Sequence, residues 1–244
     1  MVKRLPRCSW CHALDEGTVA YHDDVWGTPL RDQQSLFEVL SMVSQQGALG
    51  WLGVWARRGS YARAFRGLDM HKVARMSDAR IEAIRARPDN GVIHHRGKLF
   101  ALRNNARVFK RIERECEGGL PSFLWSFVPG GQPLCRDIGP RTRNPDMLGT
   151  PWAWVGGSTI SDALARELRS RGVSHMGSTL LQAFLLQVGI LNGHEPGCYK
   201  NPLKRGHRTL RRRPVATASA ASTRRTRRRT AGAVPLGFAR GALR

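Results

Sequence analysis

Cysteine and histidine residues with the spacing of metal ligands occur near the start of the sequence and again far along it. His194 and Cys198 are four residues apart, which is a common zinc half-site, and Cys8 with His22 supplies a second half. Such a Cys2His2 set leaves no open position on a tetrahedral zinc ion, so the site would be structural and would join the two ends of the folded body. Cys11 forms a CxxC pair with Cys8 and competes with His22 as the fourth ligand.

Aromatic residues in the first quarter of the chain have the chemistry of a pocket for a flat, extruded ring. Trp10, Tyr21 and Trp51 offer large π faces, on which a nucleobase that has left the DNA stack can rest. A cationic base gains further from electron-rich indole and phenol rings. Trp26 and Trp55 are assigned to the hydrophobic core, and core packing is also the alternative for the other three.

Gly172 and Gly177 lie in a short segment between two apolar helical patterns. Glycines there allow a tight hairpin with positive φ angles and exposed backbone N–H groups. Together with the N-terminus of a helix that begins at Ser178, these donors suit a phosphate group. These features are typical of a helix–hairpin–helix element, which binds the DNA backbone without recognising the base sequence. An ordinary turn between helices is the alternative.

Helices must position all of these residues. Leu36, Val39, Leu40 and Val43 fall at helical spacing, and Asp32 before them is a suitable N-cap. The strongest helix predictions are Asp32–Ala48, a short helix capped by Ser77, His95–Glu117, Ile160–Ser170, and Ser178 to about Leu191. Because no strand-like alternation of any length appears, the predicted fold class is all-α.

The charge of the chain indicates a polyanionic partner, above all nucleic acid. Lys and Arg number 40 against 18 Asp and Glu, which gives a formal net charge of +22. Residues 201–244 contain 13 of these cations and no acidic residue. We expect a disordered Arg-rich tail there and one folded domain at 1–200. Attraction of the tail to DNA and a solvated appendage without a role both remain open. Pro129–Gly157, rich in Pro, Gly and Arg, is expected to be an irregular loop.

Membrane and secreted classes are disfavoured. No run of about 18 apolar residues exists, so no membrane partner is expected, and the N-terminal residues lack the apolar region of a secretory signal. Five cysteines are an odd, scattered set, which favours a reducing cytoplasm and metal ligands or free thiols over a disulfide framework.

These pieces occur together in a known family, because the sequence resembles the DNA-3-methyladenine glycosylase I family over about residues 7 to 200. The fit is poor from Gly130 to Gly157. The segments that carry the resemblance are, in order, Arg7–Trp10, Ala20–Gly27, Gln45–Gln46, Leu49–Trp51, Val92–Lys98, Leu124–Val128, Ser161–Leu164, Arg171–Gly172 and Leu191–Cys198. Each match is short, and their number and order make the resemblance specific.

The resemblance implies a fold, an activity and a partner. It implies an all-α helix–hairpin–helix glycosylase domain whose structural zinc on Cys8, His22, His194 and Cys198 joins the N- and C-terminal ends. It also implies a monofunctional enzyme, without a lyase step, that hydrolyses the N-glycosidic bond of 3-methyladenine in double-stranded DNA. A monomer in the bacterial cytoplasm, associated with the nucleoid when bound to DNA, fits this function. Residues on the base-pocket positions of the family are Trp10, Tyr21 and Trp51.

One position departs from the family pattern. The family carries a base-recognising glutamate two residues before its paired glutamines, and this chain has Val43 there. Glu38 does not replace it, because five residues along a helix turn the side chain about 140° away. The catalytic residue is therefore unknown. Loss of a charge-assisted hydrogen bond costs roughly 1.5–3 kcal/mol of base recognition, or one to two orders of magnitude in rate.

Two other functions compete with the glycosylase. A catalytically impaired DNA-binding relative would keep the hairpin and the zinc but lack base recognition, as Val43 suggests. A zinc-finger regulator is less compatible with the sequence, because the four ligands are spread over the whole body and no finger unit repeats. Asp23, Asp24 and Gln45 lie beside pocket positions and are candidates to compensate for Val43; the alternative for each is an ordinary surface carboxylate or helix amide.

Overall fold

The computed structural model describes residues 5–11, 16–47, 49–128 and 158–201. The loop expected at Pro129–Gly157 lies outside these ranges, and so does the expected basic tail beyond Asn201. Within these ranges the chain is helical and contains no β-strand, which confirms the all-α prediction. No helix in the described part of the chain combines the length and the apolar character needed to cross a bilayer.

Ten α-helices follow one another in the described ranges. They are α1 (Glu16–Ala20), α2 (Gln33–Gln46), α3 (Trp51–Trp55), α4 (Arg58–Ala64), α5 (Met70–Ala74), α6 (Asp78–Arg85), α7 (Arg96–Glu115), α8 (Gly119–Trp125), α9 (Thr159–Ser170) and α10 (Ser178–Gln187). A π-helical turn, Tyr21–Val25, continues α1, and short 3-10 turns occur at Ser9–Cys11, Arg66–Leu68 and Pro88–Asn90.

Helix α2 lies at the centre of the fold, against α3, α7, α8 and α10. It begins where predicted, because the Asp32 side chain accepts a hydrogen bond of 2.8 Å from the backbone N–H of Ser35. Its apolar residues Leu36, Leu40 and Val43 are fully buried. The C-terminal end of this helix therefore places the paired glutamines inside the protein.

Helix α7 is the long basic helix predicted near His95–Glu117. The His95 side chain caps it by accepting from the backbone N–H of Lys98. Its buried face includes Leu99, Leu102 and Ala106, and α5 and α6 pack along this helix. Helix α6 also begins as predicted, with Ser77 as its N-cap.

Helix α10 ends four residues before the predicted Leu191, so that prediction was wrong at its C-terminal end. The apolar pattern continues because Ile190 and Leu191 are core residues outside the helix. The helix stops because Gly189 has a φ of +67° and its Cα lies against the backbone near Pro29, where a Cβ atom would come within 2.6 Å of the Pro29 nitrogen.

Candidate functional site

The four predicted metal ligands meet in one buried group. Cys8 precedes the first 3-10 turn, His22 lies in the π-helical turn, and His194 and Cys198 follow α10. Their ligand atoms all lie within 4.8 Å of one another. The exposed fraction of each residue is 6% or less.

Three of the distances between these atoms match tetrahedral coordination. His194 Nδ1 lies 3.6 Å from Cys8 Sγ and 3.5 Å from Cys198 Sγ, and Cys198 Sγ lies 3.4 Å from His22 Nε2. Metal–ligand bonds of about 2.3 Å to sulfur and about 2.0–2.1 Å to nitrogen place tetrahedral ligands roughly 3.3–3.8 Å apart. These four residues can therefore hold a metal ion with no ligand position left over.

The two thiols of the group differ in acidity. A hydrogen bond from Cys8, supported by contacts with His194 and His22, lowers the pKa of Cys198. The same bond to Cys198, together with burial, raises the pKa of Cys8. Cys198 is thus the thiol that ionises first, and a thiolate is the form that ligates a metal.

Cys11, the competing ligand, is not a member of the group. Its thiol lies 3.1 Å from the carbonyl oxygen of Cys8, to which it donates, and burial raises the pKa of Cys11 to about 11. The sequence left open whether Cys11 or His22 is the fourth member of the group. The structure places His22, and not Cys11, with Cys8, His194 and Cys198.

A second layer of contacts orients the ligands. His22 Nδ1 lies 2.8 Å from Asp23 Oδ1, which leaves Nε2 directed at the thiols. Arg7 holds the same carboxylate at 2.6 Å, and its hydrogen bond, with that of His22, keeps the pKa of Asp23 well below the usual range. Asp23 is therefore engaged in positioning His22.

Further hydrogen bonds join the two ends of the described body. Lys200 Nζ donates to the carbonyl oxygens of His22, Asp23 and Trp26 at 3.2, 2.9 and 3.3 Å. The backbone N–H of Tyr199 donates to the carbonyl oxygen of Pro6 at 2.7 Å. The C-terminal segment thus fixes the turn that carries His22, a role of Lys200 that the sequence pattern did not indicate.

The structure brings Tyr21 and Trp51 together. The indole Nε1 of Trp51 donates to the phenol oxygen of Tyr21 at 2.7 Å, and both side chains are buried. Trp55 stacks on Trp51 with ring centroids 5.3 Å apart and lies 5.8 Å from the ring of Tyr21. Trp55, which the sequence assigned to the core, is thus part of this aromatic group. Its spacing of four residues from Trp51 in a helix was a signal of that contact.

Trp10 is buried beside the cysteine and histidine group. Its ring packs edge-on against His22 and Trp26, each with centroids 5.2 Å apart. Trp26 in turn packs against His194 at 4.7 Å. These ring contacts therefore link Trp10 to the group of Cys8, His22, His194 and Cys198, whereas Tyr21 and Trp51 contact each other.

The predicted hairpin lies between α9 and α10 and is anchored on α7. Buried Asn105 donates from Nδ2 to the carbonyl oxygen of Ser174 at 2.9 Å, and its Oδ1 accepts from the N–H of Ser174 at 3.0 Å. Arg111 also donates to the carbonyl oxygen of Arg171 at 2.9 Å. Asn105 was not singled out in the sequence, because a lone Asn in a basic helix carries no pattern.

The two hairpin glycines differ in conformation. Gly172 has a φ of +97° and ends α9. Gly177 has a φ of −78° and a ψ of +171°, which any residue adopts, so the expectation of positive φ at both glycines was wrong. His175 takes the second positive φ, +58°. No side chain caps α10 at Gly177, and a Cβ at Gly172 or Gly177 would meet nothing within 4 Å.

A comparison with known proteins identifies the family. The model of the family described as methyladenine glycosylase matches residues 10–201. The chain belongs to the methyladenine glycosylase family. It is 34% identical over 194 residues to DNA-3-methyladenine glycosylase 1 of Escherichia coli, which covers 80% of this chain and 96% of that protein.

Solved structures agree with this assignment. A crystal structure of 3-methyladenine DNA glycosylase I superposes with a TM-score of 0.68 at 33% identity, over 80% of this chain and 100% of that one. A substituted form in complex with 3-methyladenine gives a TM-score of 0.69 at 28% identity, over 80% of this chain and 97% of the other. The resemblance stated from the sequence, and with it the prediction of a glycosylase-family enzyme, is confirmed.

Val43 is fully buried in α2. Glu38, on the same helix, is directed elsewhere, because its carboxylate lies 3.1 Å from Arg58 Nε. The Arg58 guanidinium in turn lies over the ring of Trp55, 4.6 Å from its centroid. Burial raises the pKa of Glu38. Glu38 is therefore paired within the glycosylase rather than available in place of a residue at 43.

The paired glutamines have different environments. Gln45 Nε2 donates to Ser44 Oγ and to the carbonyl oxygen of Lys98, and its Oε1 accepts from Tyr61. Gln46 Oε1 is buried and has no partner within the described ranges. Of the residues considered as compensation for Val43, Gln45 and Asp23 are thus already engaged, and Asp24 is exposed.

Lys98 closes the C-terminal end of α2 in this glycosylase. Its Nζ donates to the carbonyl oxygens of Gln45 and Gln46 at 2.9 and 3.3 Å. A cation there also interacts favourably with the helix dipole. Burial lowers the pKa of Lys98. Its role was missed in the sequence because the contact joins residues more than 50 positions apart.

Proposed function

We propose that this chain is a DNA base-excision glycosylase that hydrolyses the N-glycosidic bond of alkylated adenine, chiefly 3-methyladenine, in double-stranded DNA. The observation that carries the proposal is the buried Tyr21–Trp51 pair, joined by a hydrogen bond of 2.7 Å, in a chain whose relatives are named for this activity. One of the similar structures is described as a complex with 3-methyladenine.

The chemistry of the lesion suits an aromatic site. 3-Methyladenine in DNA is positively charged and is therefore already a good leaving group. Stacking of the flipped base on the indole of Trp51 and the phenol of Tyr21 favours that positive charge. In the monofunctional reaction, water adds to the sugar carbon and the base leaves with the electron pair of the broken bond.

A lysine adduct is not part of the proposed reaction. Lys98 Nζ is occupied by the carbonyl oxygens of Gln45 and Gln46, where it stabilises the end of α2. This arrangement supports a positioning role for Lys98 in place of attack on the sugar.

Polar recognition of the base is assigned to groups other than residue 43, because Val43 offers no hydrogen bond. Trp10 Nε1 and Gln46 Oε1 are a buried donor and a buried acceptor without a partner in the described part of the chain. Buried polar groups are normally paired, so a ligand edge is a suitable partner for each. An adenine edge presents both donors and acceptors. These two groups are therefore the proposed substitutes for the glutamate of the family.

The hairpin is the proposed contact with the DNA backbone. The first N–H groups of α10 have no acceptor within the helix, and Gly177 provides no capping side chain. Absence of a Cβ at Gly172 and Gly177 leaves room for a phosphate group to approach the backbone. Such contacts fix the register of the enzyme on DNA without reading sequence.

Zinc is the proposed occupant of the Cys8–His22–His194–Cys198 group, in a structural role. Two sulfur and two nitrogen ligands at tetrahedral spacing suit zinc. The ion would supply stability, because it links the segment around Cys8 to the segment after α10. We place the protein, as a monomer, in the bacterial cytoplasm with nucleoid DNA as its partner, in line with its bacterial relatives.

A second candidate function is a DNA-binding relative with impaired catalysis. Val43 is the observation that favours it, because the family glutamate is missing while the hairpin and the metal-binding group are present. The test is release of labelled base from methylated duplex DNA by zinc-loaded, full-length protein. Release of free 3-methyladenine supports the glycosylase. If the folded protein binds DNA but repeatedly releases no base, the result supports a DNA-binding relative with impaired catalysis.

A further inference from the structure

A cleft lined by cations lies on the surface formed by the 3-10 turn Arg66–Leu68, α5 and α6. It has a volume of about 440 Å³, and we call it the arginine cleft. Its lining residues are Arg66, Lys72, Arg75, Met76, Ser77 and Arg80. Four of these six residues are cationic and none is acidic. The cleft therefore has the charge of a site for an anion.

Three of the four cations are available for a ligand. The guanidinium groups of Arg66, Arg75 and Arg80 are exposed and have no hydrogen-bond or ion-pair partner among the residues that the structure describes. Lys72 forms an exposed ion pair of 3.5 Å with Asp69. Three unpaired guanidinium groups repel one another, so a bound anion would relieve that repulsion.

Acidic residues near the cleft do not neutralise these arginines. Asp78 pairs with Arg103 on α7. Glu82 is held by two other arginines, Arg85 at 2.8 Å and Arg96 at 2.5 Å. Asp78 and Glu82 are thus engaged with cations outside the cleft, and the charge of the three cleft arginines remains uncompensated.

The turn that presents Arg66 is tied to α2 by hydrogen bonds and to the core by the buried Leu68. Arg66, Gly67 and Leu68 have consecutive positive φ angles of 55°, 74° and 52°. Gln34 Nε2 on α2 donates to the carbonyl oxygens of Gly67 and Leu68 at 3.2 and 3.1 Å. The side chain of Arg66 therefore projects from a backbone that the hydrogen bonds of Gln34 and the burial of Leu68 hold in place, although positive φ is unfavourable for it.

The arginine cleft and the hairpin lie on nearly opposite sides of α7. Asn105 contacts Ser174 of the hairpin, whereas Arg103 and Arg107 donate to the carbonyl oxygens of Met76 and Ala74, beside the cleft. Each of these arginines is two residues from Asn105, a rotation of about 200° around the helix. A straight duplex held by the hairpin would therefore leave the cleft free for other phosphates.

We propose that the arginine cleft is a second nucleic-acid site, which binds the phosphodiester backbone of a DNA segment other than the one held by the hairpin. Planar guanidinium groups match phosphate oxygens in pairs. Contacts of this kind carry no sequence preference and weaken steeply with salt. The protein would then bridge two duplexes and pass between them while it searches for damage.

The test compares two full-length variants of equal charge. The cleft variant carries Arg66→Gln, Arg75→Gln and Arg80→Gln. The control carries Arg57→Gln, Arg63→Gln and Arg114→Gln, whose exposed side chains donate to internal acceptors and lie outside the cleft. Energy transfer between two short duplexes with different labels reports bridging, and the salt dependence of DNA binding reports the number of phosphate contacts.

We expect the cleft variant to lose bridging and to lower the salt slope by about 2–3, at roughly 0.9 per phosphate contact, while the control keeps both. Equal loss in both variants would overturn the proposal, as would unchanged bridging in the cleft variant. The cleft could instead bind inorganic phosphate while the cleft variant binds duplex DNA as the natural protein does. That result would make free phosphate the ligand of the cleft and would overturn the DNA assignment. Base release is measured separately, so a failure of the proposed enzyme activity leaves this result interpretable.

Discussion

The indole nitrogen of Trp51 donates a 2.7 Å hydrogen bond to the phenol oxygen of Tyr21, which lies 30 residues earlier in the chain. Both side chains are buried, and burial raises the pKa of Tyr21 above its usual range. The phenol is therefore neutral at physiological pH. This bond fixes the angle between two rings that are proposed to face the same flipped base.

Removal of the phenol oxygen should destabilise the protein. In Tyr21→Phe, the buried Trp51 Nε1–H group loses the acceptor at 2.7 Å, which costs about 1–3 kcal/mol. Thermal unfolding of the zinc-loaded protein should show a Tm lower by roughly 2–12 °C. The double variant Tyr21→Phe/Trp51→Phe is the control, because it also removes the donor of the lost hydrogen bond. Additive losses in the double variant, or no loss in Tyr21→Phe, would contradict the role of this bond.

A carboxylate at position 43 should raise the rate of base release. Val43→Glu restores a charged acceptor on α2, and a charge-assisted hydrogen bond of roughly 1.5–3 kcal/mol corresponds to about 10- to 100-fold. The variant should also unfold at a lower temperature, because the carboxylate is buried without a partner when no base is bound. Release of 3-methyladenine from methylated DNA is the measurement.

Val39→Glu is the matched control for this gain. It introduces the same carboxylate into the buried face of α2, one turn earlier. We expect it to lose stability without any gain in base release. An equal rate for the natural protein and Val43→Glu would mean that Trp10, Gln46 or other groups already supply the recognition.

The sequence predicted those features of the fold that depend on neighbouring residues in the chain. Asp32 and Ser77 cap α2 and α6 as predicted, because an N-cap depends on only a few neighbouring residues. The end of α10 was not readable, because it depends on the approach of Gly189 to the backbone near Pro29, which lies 160 positions earlier. The spacing of apolar residues does not indicate contacts between segments that are distant in the sequence.

Some residues of the candidate site were likewise predictable from the sequence, and others were not. Residue type and the family pattern were enough to predict that Cys8, His22, His194 and Cys198 come together, since cysteine and histidine are few and distinctive. Trp55, Lys98 and Asn105 were missed, because an aromatic, a lysine and an asparagine in helices have many ordinary roles. Only the folded chain shows that Lys98 closes α2 and that Asn105 holds the hairpin.

Loss of one metal ligand should release the ion and lower stability. Purified Cys198→Ala is expected to contain less than stoichiometric zinc, because three ligands remain and the thiol that ionises first is gone. Its Tm should fall by at least about 5 °C, since each 1 kcal/mol lowers Tm by roughly 2–4 °C at this size. Elemental analysis and thermal unfolding are the two measurements.

Cys11→Ala is the control for the metal prediction. This buried thiol donates only to the carbonyl oxygen of Cys8 in the bonds described, so the variant should retain zinc. Full zinc content in Cys198→Ala, or equal zinc loss in Cys11→Ala, would show that the ion is not held by the four-residue group. If the natural protein contains no zinc after preparation in the presence of the metal, the proposal of a zinc site is wrong.

The anchoring of the hairpin on α7 gives the last prediction. Asn105→Leu keeps a similar volume in a buried position but removes both hydrogen bonds to Ser174. Because the Ser174 N–H and C=O groups then lack these partners, residues 171–177 should exchange their amide hydrogens faster, and affinity for undamaged duplex DNA should fall several-fold. Asn104→Leu, an exposed neighbour on the same helix, is the control. If Asn105→Leu bound DNA as the natural protein does while the hairpin exchanged faster, the hairpin would not be the contact with the DNA backbone.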